Sequence, residues 1–171
     1  MDKHVLSVLV KNSSGVLSRV AGLFSRRGYN IDSLTVGRTE KPELSRMTIT
    51  MFADSDTVEQ VKKQLAKLED VGQVVELDQE DSVYRELVLI KVQADTAQRA
   101  AINEIVKIFR CKVIDISSDT LTIELTGDES KVAALIKLME EYGIREMVRT
   151  GLAALERGEK DINSHREYFK A

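Results

Sequence analysis

Apolar positions along the chain switch between two periods. Residues 4–11 (HVLSVLVK) form an apolar run of strand length, and Val16, Leu17, Val20, Leu23 and Phe24 follow at helical spacing. Gly28, after two arginines, reads as a helix C-terminal cap. Residues 30–37 (NIDSLTVG) read as a strand. Residues 46–51 alternate, with Met47, Ile49 and Met51 on one face and Arg46, Thr48 and Thr50 on the other. Asp56 and Glu59 have capping-box spacing at the head of a helical stripe of Val58, Val61, Leu65 and Leu68. Gly72 closes that helix, and residues 73–77 (QVVEL) supply a last strand. The order is βαββαβ.

The second half repeats this rhythm with diverged residues. Residues 86–93 (ELVLIKVQ) are strand-like, and Ala101, Ile105 and Ile108 mark a helix opened near Asp95 or Thr96. Residues 112–117 (KVIDIS) are extended, and Leu121, Ile123 and Leu125 alternate with polar neighbours. Thr126 and Glu129 suggest another capping box, before a stripe of Val132, Leu135, Ile136 and Met139 that Gly143 ends. Residues 144–149 (IREMVR) close the unit. The chain is expected to be α+β, with two tandem ferredoxin-like βαββαβ domains at 1–79 and 80–150 joined through the polar stretch 78–82. Residues 151–171 are expected to be a partly helical or frayed tail, with Leu152 and Leu155 anchoring a short helical turn. Each unit leaves one sheet face without helices, so homodimerisation or packing of the units is expected to cover it.

Composition narrows the chemistry. The 171 residues are 43% hydrophobic and 31% charged, with a net charge of −3. Neither half carries the positive excess that phosphate neutralisation requires, so no nucleic-acid partner is expected. Four Tyr, four Phe and no Trp leave little for base stacking. No apolar run approaches a membrane span, and the first residues are too short an apolar core for a signal peptide, so a cytoplasmic location is expected. One cysteine, Cys111, excludes a disulfide framework and reads as a buried small residue. His4 reads as a strand-end residue and His165 as a solvated tail residue. Met47, Met51, Met139 and Met147 read as core. No catalytic constellation and no metal-ligand spacing stands out.

One junction is chemically suggestive. Between the first strand and first helix lies Lys11-Asn12-Ser13-Ser14-Gly15-Val16-Leu17. The first amides of a helix lack intrahelical acceptors and sit at the positive end of its dipole, so a small carboxylate can be held there. Asn12 and Ser13 add neutral polar atoms. A free amino acid needs such a mixed setting: donors for the carboxylate, acceptors for the ammonium and an apolar recess. The same residues also suit an ordinary strand-to-helix turn, and the sequence alone leaves both readings open. The matching turn of the second half, Gln93 to Thr96, has no glycine.

The motifs LSVLVKNSSGVLSRVAGLFSRRGYNIDSLTVG (6–37) and LSRMTI (44–49) resemble the start of the acetolactate synthase small subunit, also called the acetohydroxyacid synthase regulatory subunit. QLAKLEDV (64–71), RELVLIKV (85–92), VIDIS (113–117) and RTGLAALERGEK (149–160) extend the resemblance over nearly the whole chain. It implies an N-terminal ACT domain followed by a second ferredoxin-like domain, without an active site, cofactor or metal of its own. It implies binding to a catalytic large subunit that carries thiamine diphosphate, Mg and FAD. That enzyme condenses pyruvate with a second 2-oxo acid on the route to valine, leucine and isoleucine. The small subunit would activate it and confer feedback by valine or another branched-chain amino acid. Carried over by motif, the turn Asn12, Ser13, Ser14, Gly15, Val16 and Leu17 of one protomer and Asn30 and Ile31 of another hold the effector between two ACT domains. Ser18, Thr35 and Gly37 match positions whose substitution relieves feedback in relatives, with Gly37 standing where Ala is common. A stand-alone amino-acid-sensing ACT regulator is the alternative.

Overall fold

The structure, a computed structural model, describes residues 1–165 and Lys170. The chain divides into two compact units: Met1–Val83 with Leu152–Ala171, and Tyr84–Gly151.

The first unit runs β1 (Asp2–Lys11), α1 (Val16–Arg26), β2 (Ser33–Arg38), β3 (Leu44–Ala53), α2 (Ser55–Lys67) and β4 (Val71–Glu76). Its sheet has the order β2-β3-β1-β4, with antiparallel neighbours. One sheet face, with Leu6, Val8, Met47, Ile49 and Met51, packs against Val16, Val20, Leu23 and Phe24 of α1 and Val58, Val61 and Leu65 of α2. The second unit runs from Tyr84 within β5 (Ser82–Gln93) through α3 (Arg99–Phe109), β6 (Lys112–Ile116), β7 (Thr120–Gly127), α4 (Glu129–Glu140) and β8 (Ile144–Arg149), with strand order β6-β7-β5-β8. Val88, Ile90, Val92, Ile123 and Leu125 meet Ile102, Val106, Val132, Leu135 and Met139 in its core. The α+β fold with two βαββαβ units is as the sequence patterns predict.

Several local expectations change. The helix caps are Asp54 and Asp128, whose carboxylates accept from the Thr57 amide at 2.8 Å and the Lys131 amide at 2.9 Å. The capping boxes read at Asp56/Glu59 and Thr126/Glu129 do not form. Asp56 is already inside α2, and β7 keeps Thr126 extended through Gly127. Gly72 lies within β4 rather than closing α2, which ends by Leu68. The buried stripe of α3 is Ile102 and Val106; Ala101 is exposed and Ile108 is 75% exposed, one position off the predicted face. Met147 is 42% exposed instead of buried, because β8 is an edge strand. Cys111 is half-buried, and that partial burial pushes its thiol pKa up. His4 is half-buried within β1, its Nδ1 2.7 Å from Glu76 Oε1.

The segment from 151, read as partly helical or frayed, carries a ninth strand, β9 (Ala153–Glu156), and a short 3₁₀ turn at Ile162–Ser164. β9 pairs with β5, and the Arg157 amide donates to Asp81 O at 2.7 Å. Leu152, Ala154 and Ile162 are buried, whereas Leu155 is exposed. Buried Gln73 on β4 donates its side-chain amide to Ile162 O at 3.1 Å and to His165 O. The Lys170 amide donates to Gly72 O at 2.9 Å. His165 is held rather than solvated: its Nε2 lies 2.8 Å from both Glu156 oxygens. Alternation in AALE is too short to separate a strand from a helical turn by periodicity, so only the pairing with β5 decides it.

Candidate functional site

The turn from β1 into α1 is built by three constraints. Val16 is buried and roots the first helical residue in the core. The Asn12 amide donates to Glu43 O at 2.7 Å, and Asn12 Nδ2 donates to Pro42 O at 2.9 Å, which ties the turn to the β2–β3 loop. Gly15 is the helix N-cap at φ +83°, in the left-handed region that a side chain disfavours. Ser13, Ser14 and Ser18 are exposed, and Leu17 is 46% exposed beside the turn.

The start of α1 has no side-chain cap and no acidic residue in its first turn. The starts of α2 and α4 differ. The Thr57 amide and hydroxyl hold the Asp54 carboxyl below its ordinary pKa, and the Ser130 hydroxyl and Lys131 amide do the same for Asp128. Those helices carry their own carboxylate, whereas α1 leaves its first-turn amides for solvent or a ligand. Chemically, the turn can receive one carboxylate, accept from an ammonium through Asn12 Oδ1 and offer the apolar Leu17 surface.

A basic side chain also reaches this turn, from outside the motif-based set of residues. Arg19 leans back along α1 so that its Nη1 lies 2.9 Å from where a Cβ on Gly15 would stand. Its Nε donates to Asp70 Oδ2 at 2.6 Å, in the turn before β4. The signal was present: Arg19 follows Gly15 by four residues, and helical side chains point toward the N-terminus.

Asn30 and Ile31 follow the α1 C-cap, Asn30 exposed and Ile31 packed at the margin of the core. The β2 strand read at 30–37 starts only at Ser33, since the ladder with β3 ends at Ser33 opposite Thr50 and the Asp32 amide donates to Thr50 O. Topology separates these two residues from the turn. β1 and β2 are both antiparallel to β3 and therefore parallel to each other. Val10 and Arg38 both face Ser45 at one end of the sheet, while Val5 and Ser33 both face Thr50 at the other. Asn12 leaves the first end and Asn30 enters at the second, about 17 Å of strand away. Within one unit the structure brings Asn12 to Leu17 together but does not bring Asn30 and Ile31 to them. Half-buried Thr35 and exposed Gly37 lie on β2, the outer strand of the sheet. A Cβ on Gly37 would meet nothing within 4 Å.

Among the described residues no cluster of three or more His, Cys, Asp or Glu is placed to hold a metal ion. None of their helices is long and apolar enough to cross a membrane.

Comparison with known proteins addresses both units. Residues 6–73 match a family described as the AHAS small subunit-like ACT domain, and residues 85–158 match one described as the small subunit of acetolactate synthase. A probable acetolactate synthase small subunit of Archaeoglobus fulgidus is 55% identical, covering 92% of this chain and 99% of its own. An acetolactate synthase small subunit of Mycobacterium leprae is 51% identical over 97% of this chain and 98% of its own. Among solved structures, an acetolactate synthase small subunit from Thermotoga maritima superposes with a TM-score of 0.87 at 44% identity, covering 94% of this chain and 100% of that one.

Proposed function

We propose, from the premise that this chain belongs to the family of acetolactate synthase small subunits, that it regulates a catalytic large subunit in the cytoplasm and has no active site of its own. Thiamine diphosphate, Mg and FAD reside on that partner, which condenses pyruvate with a second 2-oxo acid. The small subunit raises the partner's activity and makes it answer to valine or another branched-chain amino acid. The observation that carries this reading is the uncapped start of α1 behind Gly15, flanked by Asn12 and exposed Leu17.

The effector lies between two copies of the first unit. The separation of Asn30 from Asn12 supports this, since the two groups can line one pocket only if different copies supply them. β2 offers the edge: its pairing with β3 has no register shift, and Val36, Gly37 and Arg38 are exposed. Two β2 strands joined antiparallel about Thr35 set Leu34 against Val36 and Asp32 against Arg38 of the second copy. The same symmetry carries Asn30 of that copy toward the Asn12 turn. A ligand shared across such a two-fold biases the relative position of two copies, with coupling limited to its differential affinity, typically ~1–3 kcal/mol. One methylene changes binding by only ~1–3 kcal/mol, so valine, leucine and isoleucine are distinguished by degree.

Calorimetry of the chain with valine, leucine and isoleucine, followed by reconstitution with a large subunit, tests the reading. Binding of at least one amino acid and inhibition of the reconstituted enzyme by it are expected. A chain that binds none of the three and leaves the large subunit's rate unchanged sinks it.

A further inference from the structure

We propose that Arg19 is the charged anchor for the effector's carboxylate, and that Asp70 is the positioning residue that holds it there. The proposal rests on the reading of the α1 turn as the effector site and adds a recognition element to it. Backbone amides at a helix start favour any anion or polar acceptor, so alone they discriminate weakly between an acid and its amide. A guanidinium beside them changes that, because charge-assisted hydrogen bonds to a carboxylate are roughly twice as strong as neutral ones.

The geometry is specific. Asp70 Oδ2 takes the Nε hydrogen of Arg19 at 2.6 Å. Among the described residues, the two Nη groups carry no hydrogen bond. Nη1 lies against the open side of Gly15, which any larger residue would occupy. Arg19 is half exposed while Asp70 is only 18% exposed, so the acid is the fixed post and the guanidinium the reaching end. The Asp70 carbonyl also accepts the Lys11 amide at 2.9 Å, which locks the post to the end of β1 one residue before Asn12. No acid stands in the first turn of α1 to compete for the free donors. The geometry bears on one group of the ligand: a free carboxylate is held, and the same molecule with that group neutral is held more weakly.

The test compares L-valine with L-valinamide by calorimetry on the full chain, with ligand-free thermal melting of each variant as a folding check. Arg19→Ala is expected to weaken valine at least tenfold and to change valinamide less than twofold, with melting close to that of the unaltered chain. Arg19→Lys, which keeps charge without the planar fork, is expected to lose less than Arg19→Ala. Asp70→Asn is expected to narrow the preference for valine over valinamide in the same direction. Equal losses for both probes in Arg19→Ala, or valine affinity within twofold of the unaltered chain, overturn the proposal while leaving the effector site standing. An unaltered chain that binds none of valine, leucine and isoleucine overturns both.

Discussion

The two units turn from first strand to first helix in opposite ways. In the second unit the turn closes on itself: Asp95 accepts the Gln98 amide at 2.9 Å, and Gln98 Oε1 accepts the Asp95 amide at 3.2 Å. Arg99 adds bonds to the carbonyls of Ala94, Ser117 and Ser118. In the first unit the corresponding junction has a left-handed glycine, no acid and a guanidinium held alongside. The repeated fold therefore carries one strand-to-helix turn closed by its own Asp95–Gln98 pair and one without such a pair. The two units share one element order, and the polar residues at this turn are what differ between them.

The outer strands diverge in the same sense. β2 pairs with β3 in unbroken register, whereas β6 shifts register between Val113 and Asp115. A bulge bends an edge and spoils it as a template for another strand. β2 is the more regular of the two outer strands, which is the contrast the proposed pairing of two copies draws on.

The contrast can be broken most severely at Gly15. Gly15→Asp sets a carboxylate at the open amides, so the valine response should vanish while activation of the large subunit persists; inhibition assays on the reconstituted enzyme decide this. The strained φ adds a folding cost on the order of 1 kcal/mol. Next is the β2 edge. Arg38→Asp should weaken self-association roughly tenfold by sedimentation, counting two opposed exposed pairs, and adding Asp32→Arg should restore it. Third, Asp95→Ala opens the self-capped turn. Stability should fall by roughly 0.5–2 kcal/mol in denaturant titration, with valine binding unchanged.

The smallest effect concerns pH. Asp54 and Asp128 both have pKa values below the ordinary 3.8 in the folded chain. Their contribution is therefore present above that value and lost as pH falls through the folded values. Melting temperature should decline below about pH 4, and Asp54→Asn with Asp128→Asn should flatten that decline. The start of α1 has no acidic residue in its first turn and should add nothing to it.

Much of the fold was legible in periodicity. The stripes of α2 and α4 and the alternation of β7 match the observed burial, whereas Leu17 of the α1 stripe is exposed and β3 buries its polar Thr48 and Thr50 as well as its apolar face. The α3 stripe was less legible, because Ala101, Ile105 and Ile108 compete with Ile102 and Val106 for the same apolar face. The caps were misplaced by two residues because Asp, Ser and Thr cluster at both junctions, and only the strand end selects among them. Of the candidate site, the turn from Asn12 to Leu17 was readable because its chemistry is local. Arg19 was legible only in part: its spacing of four residues from Gly15 is local, but its partner, Asp70, lies 51 residues away.

By itself the sequence determined the element order, the repeat and the chemical character of one turn, since these depend on neighbours within a few residues. Tertiary structure alone decided that the segment after 151 runs as a strand beside β5 and docks on β4. It also decided that Asn30 stands at the far end of the sheet from Asn12 and that Arg19 is held by Asp70. Each of these depends on partners distant in sequence, and local periodicity carries no information about which distant groups a fold brings within hydrogen-bond reach.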